Sequence, residues 1–128
     1  MIGVVITGHG KFPKELVSTA RKIIGDLKKG VVVITTRYKE EPFNLRARLD
    51  KAVEKVASKD GVLVLADVFG SSASSMCINM RKKYPVRVVT GMNLPMVFAL
   101  ATYRNSALNI DDLASKLENV GKKSIAKW

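Results

Sequence analysis

Apolar runs alternate with amphipathic stretches along the chain. Four runs rich in β-branched residues and bounded by glycine, proline or polar turns predict strands over residues 2–7, 31–35, 62–66 and 85–90. Apolar residues at helical spacing predict helices over residues 13–25, 44–57, 73–83, 94–103 and 111–120. Because strands and helices alternate regularly, we predict an α/β fold with a doubly wound open sheet and right-handed crossovers.

The predicted sheet has four parallel strands in the order 2-1-3-4, with helices on both faces. Residues 122–128 alternate loosely and predict a short C-terminal edge strand, with one face formed by Ser124, Ala126 and Trp128 and the other by Lys123, Ile125 and Lys127. The first helix is predicted to cover the sheet with an apolar face formed by Leu16, Val17, Ala20, Ile23 and Ile24. A chain of 128 residues with 47% hydrophobic content is long enough for one core, so we expect residues 1–128 to form a single domain.

The first strand leads into Gly8, His9 and Gly10, and His9 is the only histidine of the chain. Ligands of doubly wound sheets bind beyond the carboxyl ends of the strands, and Asp67 follows the neighbouring third strand directly. We therefore predict that the Asp67 carboxylate meets the imidazole. By accepting the Nδ1 proton, it would fix the tautomer and leave Nε2 as a nucleophile. The simpler alternatives are a histidine packed at a strand end and an aspartate that caps a turn.

A second candidate feature is the small-residue loop Gly70, Ser71 and Ser72 before the third helix. Free N–H groups and the positive end of a helix dipole form an anion site there, for which a phosphoryl group is a natural ligand. We predict Ser72 as the N-cap, and ordinary capping is the simpler interpretation. Fingerprints of dinucleotide and nucleotide phosphate binding are absent from the sequence.

Charge and composition narrow the function classes. The 22 basic and 11 acidic residues give a net charge of +11, which attracts nucleic acid, anionic lipid or acidic proteins. The basic residues are dispersed and lack interleaved aromatic residues, which favours a solvated basic surface over a nucleic-acid groove. A single cysteine, Cys77, excludes an internal disulfide, and one histidine with one cysteine excludes a protein-only zinc site. Cys77 is predicted to be a small buried hydrophobe. With neither a membrane-spanning run nor a signal-peptide pattern, we expect a cytoplasmic protein.

Three motifs together resemble one protein family over the whole chain. They are residues 2–10, ending in His-Gly; residues 61–72, GVLVLADVFGSS; and residues 90–96, TGMNLPM. They resemble the mannose-family IIA component of the bacterial phosphoenolpyruvate-dependent sugar phosphotransferase system (PTS). The resemblance implies that His9 accepts a phosphoryl group from the phosphohistidine of the carrier protein HPr and passes it to a IIB component. It implies no metal, organic cofactor or direct sugar binding.

The resemblance also assigns roles to single residues. Asp67 matches the aspartate that orients the histidine, and Ser72 matches the serine at the phosphate-side helix terminus. Gly10, Gly70 and Ser71 complete the implied phosphate site. Met92 and Asn93 are candidates for a partner-docking rim, with loop and helix packing as the alternative. The family further implies a homodimer in which residues 122–128 exchange between subunits.

Two departures from the family pattern concern the site. The family usually has a second glycine where this chain has Ser71, and a serine or threonine where it has Gly8. If that second glycine takes a positive φ, Ser71 would be strained by ~1 kcal/mol or more.

A further departure concerns charge. Because HPr-type carriers tend to present a positive rim, a +11 partner would slow their encounter. Either the donor differs, or Glu40 and Glu41 offset the field.

Two other functions stay open from the sequence. One keeps the fold and makes the chain a phosphorylation-dependent regulatory protein that does not feed a sugar permease. The other is a basic nucleic-acid-binding module, whose electrostatic binding would weaken steeply with salt.

Overall fold

A computed structural model describes residues 1–27 and 29–128 and contains a four-stranded parallel sheet. Its strands are β1 (Gly3–His9), β2 (Val31–Thr36), β3 (Val62–Ala66) and β4 (Val86–Val89). They lie in the order β2-β1-β3-β4, and each neighbouring pair is parallel. The predicted α/β class and strand order are therefore confirmed.

Five α-helices cover the two faces of the sheet: α1 (Phe12–Ile24), α2 (Pro42–Val56), α3 (Ser72–Asn79), α4 (Leu94–Tyr103) and α5 (Ile110–Lys123). A 3₁₀ turn, Met80–Lys82, follows α3. Successive β1 side chains enter opposite cores: Val4 and Ile6 pack with α1, α4 and α5, whereas Val5 packs with α2 and α3. Apolar strands covered on both faces are typical of parallel sheets. None of the helices in the described residues is long and apolar enough to cross a membrane.

The C-terminal segment differs from the prediction. Residues 122 and 123 lie in the last turn of α5, and residues 124–128 form no strand in the single chain. The helix is favoured because Asp111 and Asp112 lie in its first turn and Lys122 and Lys123 in its last, matching the helix dipole. Within the described residues, no strand pairs with this segment in the single chain.

Two further predictions need correction. β1 continues through His9, because Gly8 and His9 pair with Thr35 and Thr36 of β2. His9 is thus the last residue of a strand and not part of a turn. The apolar face of α1 is narrower than predicted: Val17 and Ala20 are buried, but Ile23 is 61% exposed and Ile24 is also exposed. Both residues lie in the last turn of α1, just before its Gly25 C-cap.

Arg104 joins three segments at the amino ends of the strands. Its buried guanidinium donates hydrogen bonds to the carbonyl oxygens of Ile2 (2.9 Å), Leu27 (3.1 Å) and Gly30 (3.2 Å). Burial lowers the pKa of this guanidinium. The side chain therefore ties the end of α4 to the start of β1 and to the approach to β2.

Replacing Arg104 with methionine is expected to lower the free energy of unfolding by about 3 kcal/mol or more, because three carbonyl oxygens lose a charged donor. Urea unfolding monitored by circular dichroism measures this change. Arg81→Met, at an exposed position of the 3₁₀ turn, is the control and should change stability little. A loss below 1 kcal/mol for Arg104→Met would show that water satisfies these carbonyls.

Candidate functional site

His9 and Asp67 meet at the carboxyl edge of the sheet. Asp67 directly follows β3, and β3 lies beside β1, so the two residues come from adjacent strand ends. One carboxylate oxygen, Asp67 Oδ2, lies 2.8 Å from His9 Nδ1 and accepts the His9 backbone N–H at 2.9 Å. The His9 side chain is 58% exposed. The predicted juxtaposition is thus present, and it leaves Nε2 as the ring nitrogen without a bond to Asp67.

Asp67 is ionised in this arrangement. Burial raises the pKa of its carboxyl group, but the hydrogen bonds from the His9 side chain and backbone, together with the His9 charge, outweigh burial, and the pKa lies below its usual value. A carboxylate is an acceptor only, so Nδ1 carries the proton of the hydrogen bond. The neutral imidazole is then held as the tautomer whose Nε2 has a free electron pair.

Gly8 provides the space that the carboxylate occupies. A Cβ atom at residue 8 would lie 2.9 Å from both Cγ and Oδ2 of Asp67, closer than real Cβ contacts. In the sequence, Gly8 stands out only as a departure from the family pattern. In this structure, the absence of a side chain there lets Asp67 approach the His9 backbone.

Ser71, and not Ser72, caps α3. Ser71 has an extended backbone (φ −63°, ψ 159°), and its Oγ accepts the Ser74 N–H at 3.2 Å. Ser72 is the first residue of the helix and is exposed. The strain considered for Ser71 is absent, because the positive φ of this loop (81°) falls on Gly70. The predicted cap was wrong by one residue.

The start of α3 offers backbone donors for an anion. Because the first N–H groups of a helix have no intrahelical acceptor, and Ser71 satisfies that of Ser74, the amides of Ser72 and Ala73 remain as donors. The Gly10 N–H is engaged differently, since it donates to Thr36 O at 3.3 Å. Of the predicted phosphate-site residues, Ser72 therefore has the available amide, whereas the Gly10 amide is already engaged.

The two residues predicted to dock a partner have internal contacts. Met92 is 5% exposed and packs in the core formed with α1, α4 and α5, so it presents no docking surface. Asn93 caps α4 by accepting the Met96 N–H at 3.1 Å. Its amide nitrogen also donates to Ser124 Oγ at 3.1 Å. Met92 is therefore a core-packing residue, as in the alternative interpretation. The contacts of Asn93 are those of a helix-capping residue.

Cys77 is fully buried in α3, as predicted. Burial, with a contribution from Asp50, raises the pKa of its thiol to about 12. The thiolate is the nucleophilic form of cysteine, so this residue is inert at neutral pH.

Comparison with known proteins gives one consistent family. A family model described as PTS system fructose IIA component (EIIA-man) matches residues 3–118. The chain is 25% identical over 125 residues to the fructose-specific EIIA component of Bacillus subtilis, covering 97% of this chain and 84% of that protein. It is 26% identical over 127 residues to the mannose-specific EIIAB component of Escherichia coli, covering 97% of this chain but only 38% of that protein.

Solved structures agree with these relatives. A phosphotransferase system component EIIA from Streptococcus agalactiae superposes with a TM-score of 0.88 at 25% identity, covering 99% of this chain and 97% of that one. The mannose/sorbose-specific IIA subunit from Enterococcus faecalis superposes with a TM-score of 0.83 at 25% identity, covering 99% and 94%. The fold described above is therefore that of PTS IIA proteins.

Replacing Gly8 with alanine is expected to displace the Asp67 carboxylate from His9, because the new methyl group would overlap it. Long-range ¹H–¹⁵N NMR of the imidazole above pH 8 should show the Nδ1–H tautomer in the wild-type protein and a mixture of tautomers in Gly8→Ala. A stability loss of about 1–3 kcal/mol should accompany this change. Ser75→Ala, at an exposed position of α3, is the control. An unchanged tautomer in Gly8→Ala would show that the strand shifts to accommodate the methyl group.

Proposed function

The chain belongs to the PTS fructose/mannose IIA family, and on that premise we propose that it is a phosphocarrier whose phosphoryl group is carried on His9. Family membership itself supports a phosphoryl-transfer role in the sugar phosphotransferase system. The observation that carries the assignment to His9 is the 2.8 Å contact between Asp67 Oδ2 and Nδ1 of this exposed imidazole. We take residues 1–128 as a single IIA domain.

The reaction is an exchange of one N–P bond for another. The Nε2 electron pair of His9 attacks the phosphorus of a donor phosphohistidine, and the donor's N–P bond breaks as the new bond forms. The donor ring, which is protonated on its other nitrogen, takes back the electron pair of the broken bond and leaves as neutral imidazole. The His9 ring keeps its Nδ1 proton and becomes a phosphorylated imidazolium.

Asp67 supports this step in two ways. It holds the ring in the tautomer with a free Nε2 pair, and its negative charge stabilises the positive charge that develops on the ring. The lowered pKa of its carboxyl group keeps this charge present in the neutral range. Asp67 therefore acts as a positioning and electrostatic partner of His9.

The incoming phosphoryl group is expected to face the start of α3. The amides of Ser72 and Ala73 and the positive end of the helix dipole favour a dianionic group at this edge of the sheet. Gly70 and Ser71 shape the loop that presents them. No metal or organic cofactor enters the mechanism.

The partners follow from the family. We propose that a phosphorylated carrier of the HPr type donates to His9 and that a IIB component accepts, with both exchanges in the cytoplasm. A single histidine cannot serve both at once, so the two proteins use the same exposed edge in turn.

We also propose a homodimer in which the C-terminal residues of each subunit pair with the other. β4 is an edge strand, and beside it lies a groove of about 660 Å³ lined by residues of β4, α5 and Ile125. Ile125 and Trp128 are exposed apolar residues in a segment without secondary structure. Pairing with the free edge of β4 in a second subunit would give residues 122–128 a strand partner, which they do not have in the single chain.

Replacing His9 with alanine is expected to abolish labelling from phosphoenolpyruvate, enzyme I and HPr. Labelling retained in His9→Ala would overturn the assignment of the phosphoryl group to this residue. Mass spectrometry of the labelled wild-type protein, handled at alkaline pH to preserve phosphohistidine, identifies the modified residue. Asp112→Ala, on the exposed start of α5, is the control and should be labelled normally.

Asp67→Ala is expected to be labelled roughly 10- to 100-fold more slowly than the wild-type protein, because the ring loses its orientation and its stabilising charge. Carboxylate partners of metal-bound histidines have effects of this size. The initial rate at a fixed carrier concentration is the measurement. A rate equal to that of the wild-type protein would make Asp67 a structural residue only.

The dimer is tested by sedimentation velocity. We expect the wild-type protein to sediment as a dimer and Ile125→Glu to shift it toward monomer, because a charge would enter the apolar contact. Lys123→Glu, an exposed residue at the end of α5, introduces the same charge beside the segment and is the control. A wild-type monomer at 100 μM would contradict the exchange.

A further inference from the structure

The outer side of β2 is open. This strand pairs with β1 on one side, and within the described residues no strand pairs with its other side. All six residues of β2 are half-buried, although the strand belongs to the core sheet. An unpaired strand edge presents backbone N–H and C=O groups that another extended chain can bind. We name this side of β2 the open edge.

The hydrogen bonds of β2 show which backbone groups point outward. The carbonyl oxygens of Gly30 and Thr36 accept N–H groups from β1 and from the residue after it, at 2.9 and 3.3 Å. Because successive residues of a strand direct their backbone groups to opposite sides, the even-numbered residues of β2 face β1. The N–H and C=O groups of Val31 and Val33 therefore face away from the sheet, along the open edge.

Arg48 of α2 closes the carboxyl end of the open edge. Its Nη1 donates to Thr35 O at 2.9 Å and to Glu40 Oε1 at 2.8 Å. The Glu40 carboxylate is 5% exposed and neutralises Arg48, so it does not offset the positive field of the protein. With the Thr35 carbonyl occupied, the outward carbonyls of Val31 and Val33 are those left for a partner.

A groove of about 450 Å³, lined by residues of α1 and β2, lies beside the open edge. Three of its six lining residues are basic and none is acidic: Lys14, Val17, Ser18, Arg21, Lys22 and Val33. Arg21 forms an ion pair with Asp26 at 3.5 Å. Lys14 and Lys22 are exposed, and within the described residues they form no salt bridge. We name this feature the basic groove.

The α2 side of the open edge is basic as well. Lys51 and Lys55 lie one and two turns after Arg48, on the side of α2 that meets the edge through the Arg48 hydrogen bond. Both lysines are exposed and form no salt bridge within the described part of the chain. The acidic residues Asp50 and Glu54 lie on other sides of this helix. The open edge therefore has unpaired positive charge on both faces.

The open edge is better suited to a peptide than to a nucleic acid. Each outward residue offers one donor and one acceptor, and another extended peptide backbone complements both. A phosphate backbone only accepts hydrogen bonds, so the outward carbonyls would stay unpaired. The basic groove also has no aromatic residue on which a base could stack. A second copy of this chain would bring a basic edge against a basic edge, which lysines beside an edge strand oppose.

From these observations we propose that the open edge docks an extended, acidic segment of a partner protein as an added strand beside β2. Backbone hydrogen bonds to Val31 and Val33 hold the segment. Its side chains alternate between the two faces of the sheet, so carboxylates on the α1 face meet Lys14 and Lys22, and those on the other face meet the lysines of α2. The site does not use His9, and the inference goes beyond the proposed phosphocarrier function.

The probe is a short peptide in which glutamate alternates with valine. One control peptide has lysine in place of each glutamate. A second keeps the glutamates but is N-methylated at its consecutive central amides, which removes the backbone donors and leaves the charge unchanged. Amide hydrogen exchange of the protein, followed by ¹H–¹⁵N NMR, measures pairing at single residues.

We expect the acidic peptide to slow exchange of the Val31 and Val33 amides about tenfold or more, because they gain acceptors on the added strand. The amides of Val32 and Ile34 already bond to β1 and should change little. Neither control peptide should protect any of these amides. Unchanged exchange at Val31 and Val33, or equal protection by the methylated peptide, would overturn the proposal.

Matched variants test the charges. The groove variant is Lys14→Glu with Lys22→Glu. The control variant is Lys82→Glu with Lys123→Glu, which reverses two exposed charges away from β2 and changes the net charge equally. The groove variant should bind the acidic peptide about tenfold more weakly than the wild-type protein, and the control variant should bind it normally. Equal binding by the two variants would overturn the proposal.

A second pair of variants tests the backbone contact. Val33→Pro removes one outward N–H group and is compatible with an edge strand, whereas Val33→Ala shortens the same side chain and keeps the N–H group. Peptide binding should be lost in Val33→Pro and retained in Val33→Ala. Circular dichroism checks that both variants fold, and the exchange and lysine experiments decide the outcome if Val33→Pro does not. A single-stranded oligonucleotide that binds the wild-type protein but not the groove variant, with no binding of the acidic peptide, would overturn the proposal and assign the basic surface to nucleic acid.

Discussion

The carboxylate of Asp67 is placed against Gly8 by the adjacency of β1 and β3, and the arrangement of the site depends on this contact. Thr7 and Ala66 are paired in register, so the residues that follow them lie side by side where the two strands end. With no side chain at Gly8, a single oxygen reaches both the backbone N–H and the ring of His9. Backbone and imidazole are thereby fixed together, and the ring orientation is set by the sheet itself.

The two edges of the sheet have opposite properties. At the amino edge, the buried Arg104 guanidinium donates hydrogen bonds to three backbone carbonyl oxygens and so links distant segments of the chain. At the carboxyl edge, the loops carry exposed aromatic and basic side chains. The ion pair between Glu40 and Arg48 of α2 holds the loop between β2 and α2 in place. Functional side chains on loops need such a rigid scaffold, since a position error of about 1 Å is costly in group transfer.

The sequence predicted the strand order and the meeting of His9 with Asp67, because continuous apolar runs mark buried parallel strands and the carboxyl ends of such strands share one edge. It missed the features that depend on individual contacts. Adjacent serines are equivalent in a pattern, so the cap was placed on Ser72 and not on Ser71. Met92 was placed on a rim and is buried, and Arg104 has no local signal, because its carbonyl partners come from distant parts of the chain.

The segment after α5 shows a further physical limit on prediction. Alternation of side chains over residues 122–128 describes a strand only if a second strand is available, and within one chain the last turn of α5 competes for the same residues. The backbone N–H groups of residues 122 and 123 are satisfied within the helix, and the positive charges of their side chains interact favourably with its dipole. The alternation therefore shows that this segment could form a β-strand. Whether the strand forms depends on whether another strand is available to pair with it.

Exposed aromatic residues and an excess of charge have different effects on an encounter between two proteins. The apolar area lengthens the life of a complex, whereas charges around it mainly raise the association rate. A histidine that must receive a group from one protein and then deliver it to another needs rapid encounter and equally rapid release. A modest exposed apolar area flanked by charged side chains, such as Tyr38 between Arg37 and Lys39, meets both requirements with a partner of opposite charge, because the charges speed arrival without adding much to the affinity that must be lost on departure.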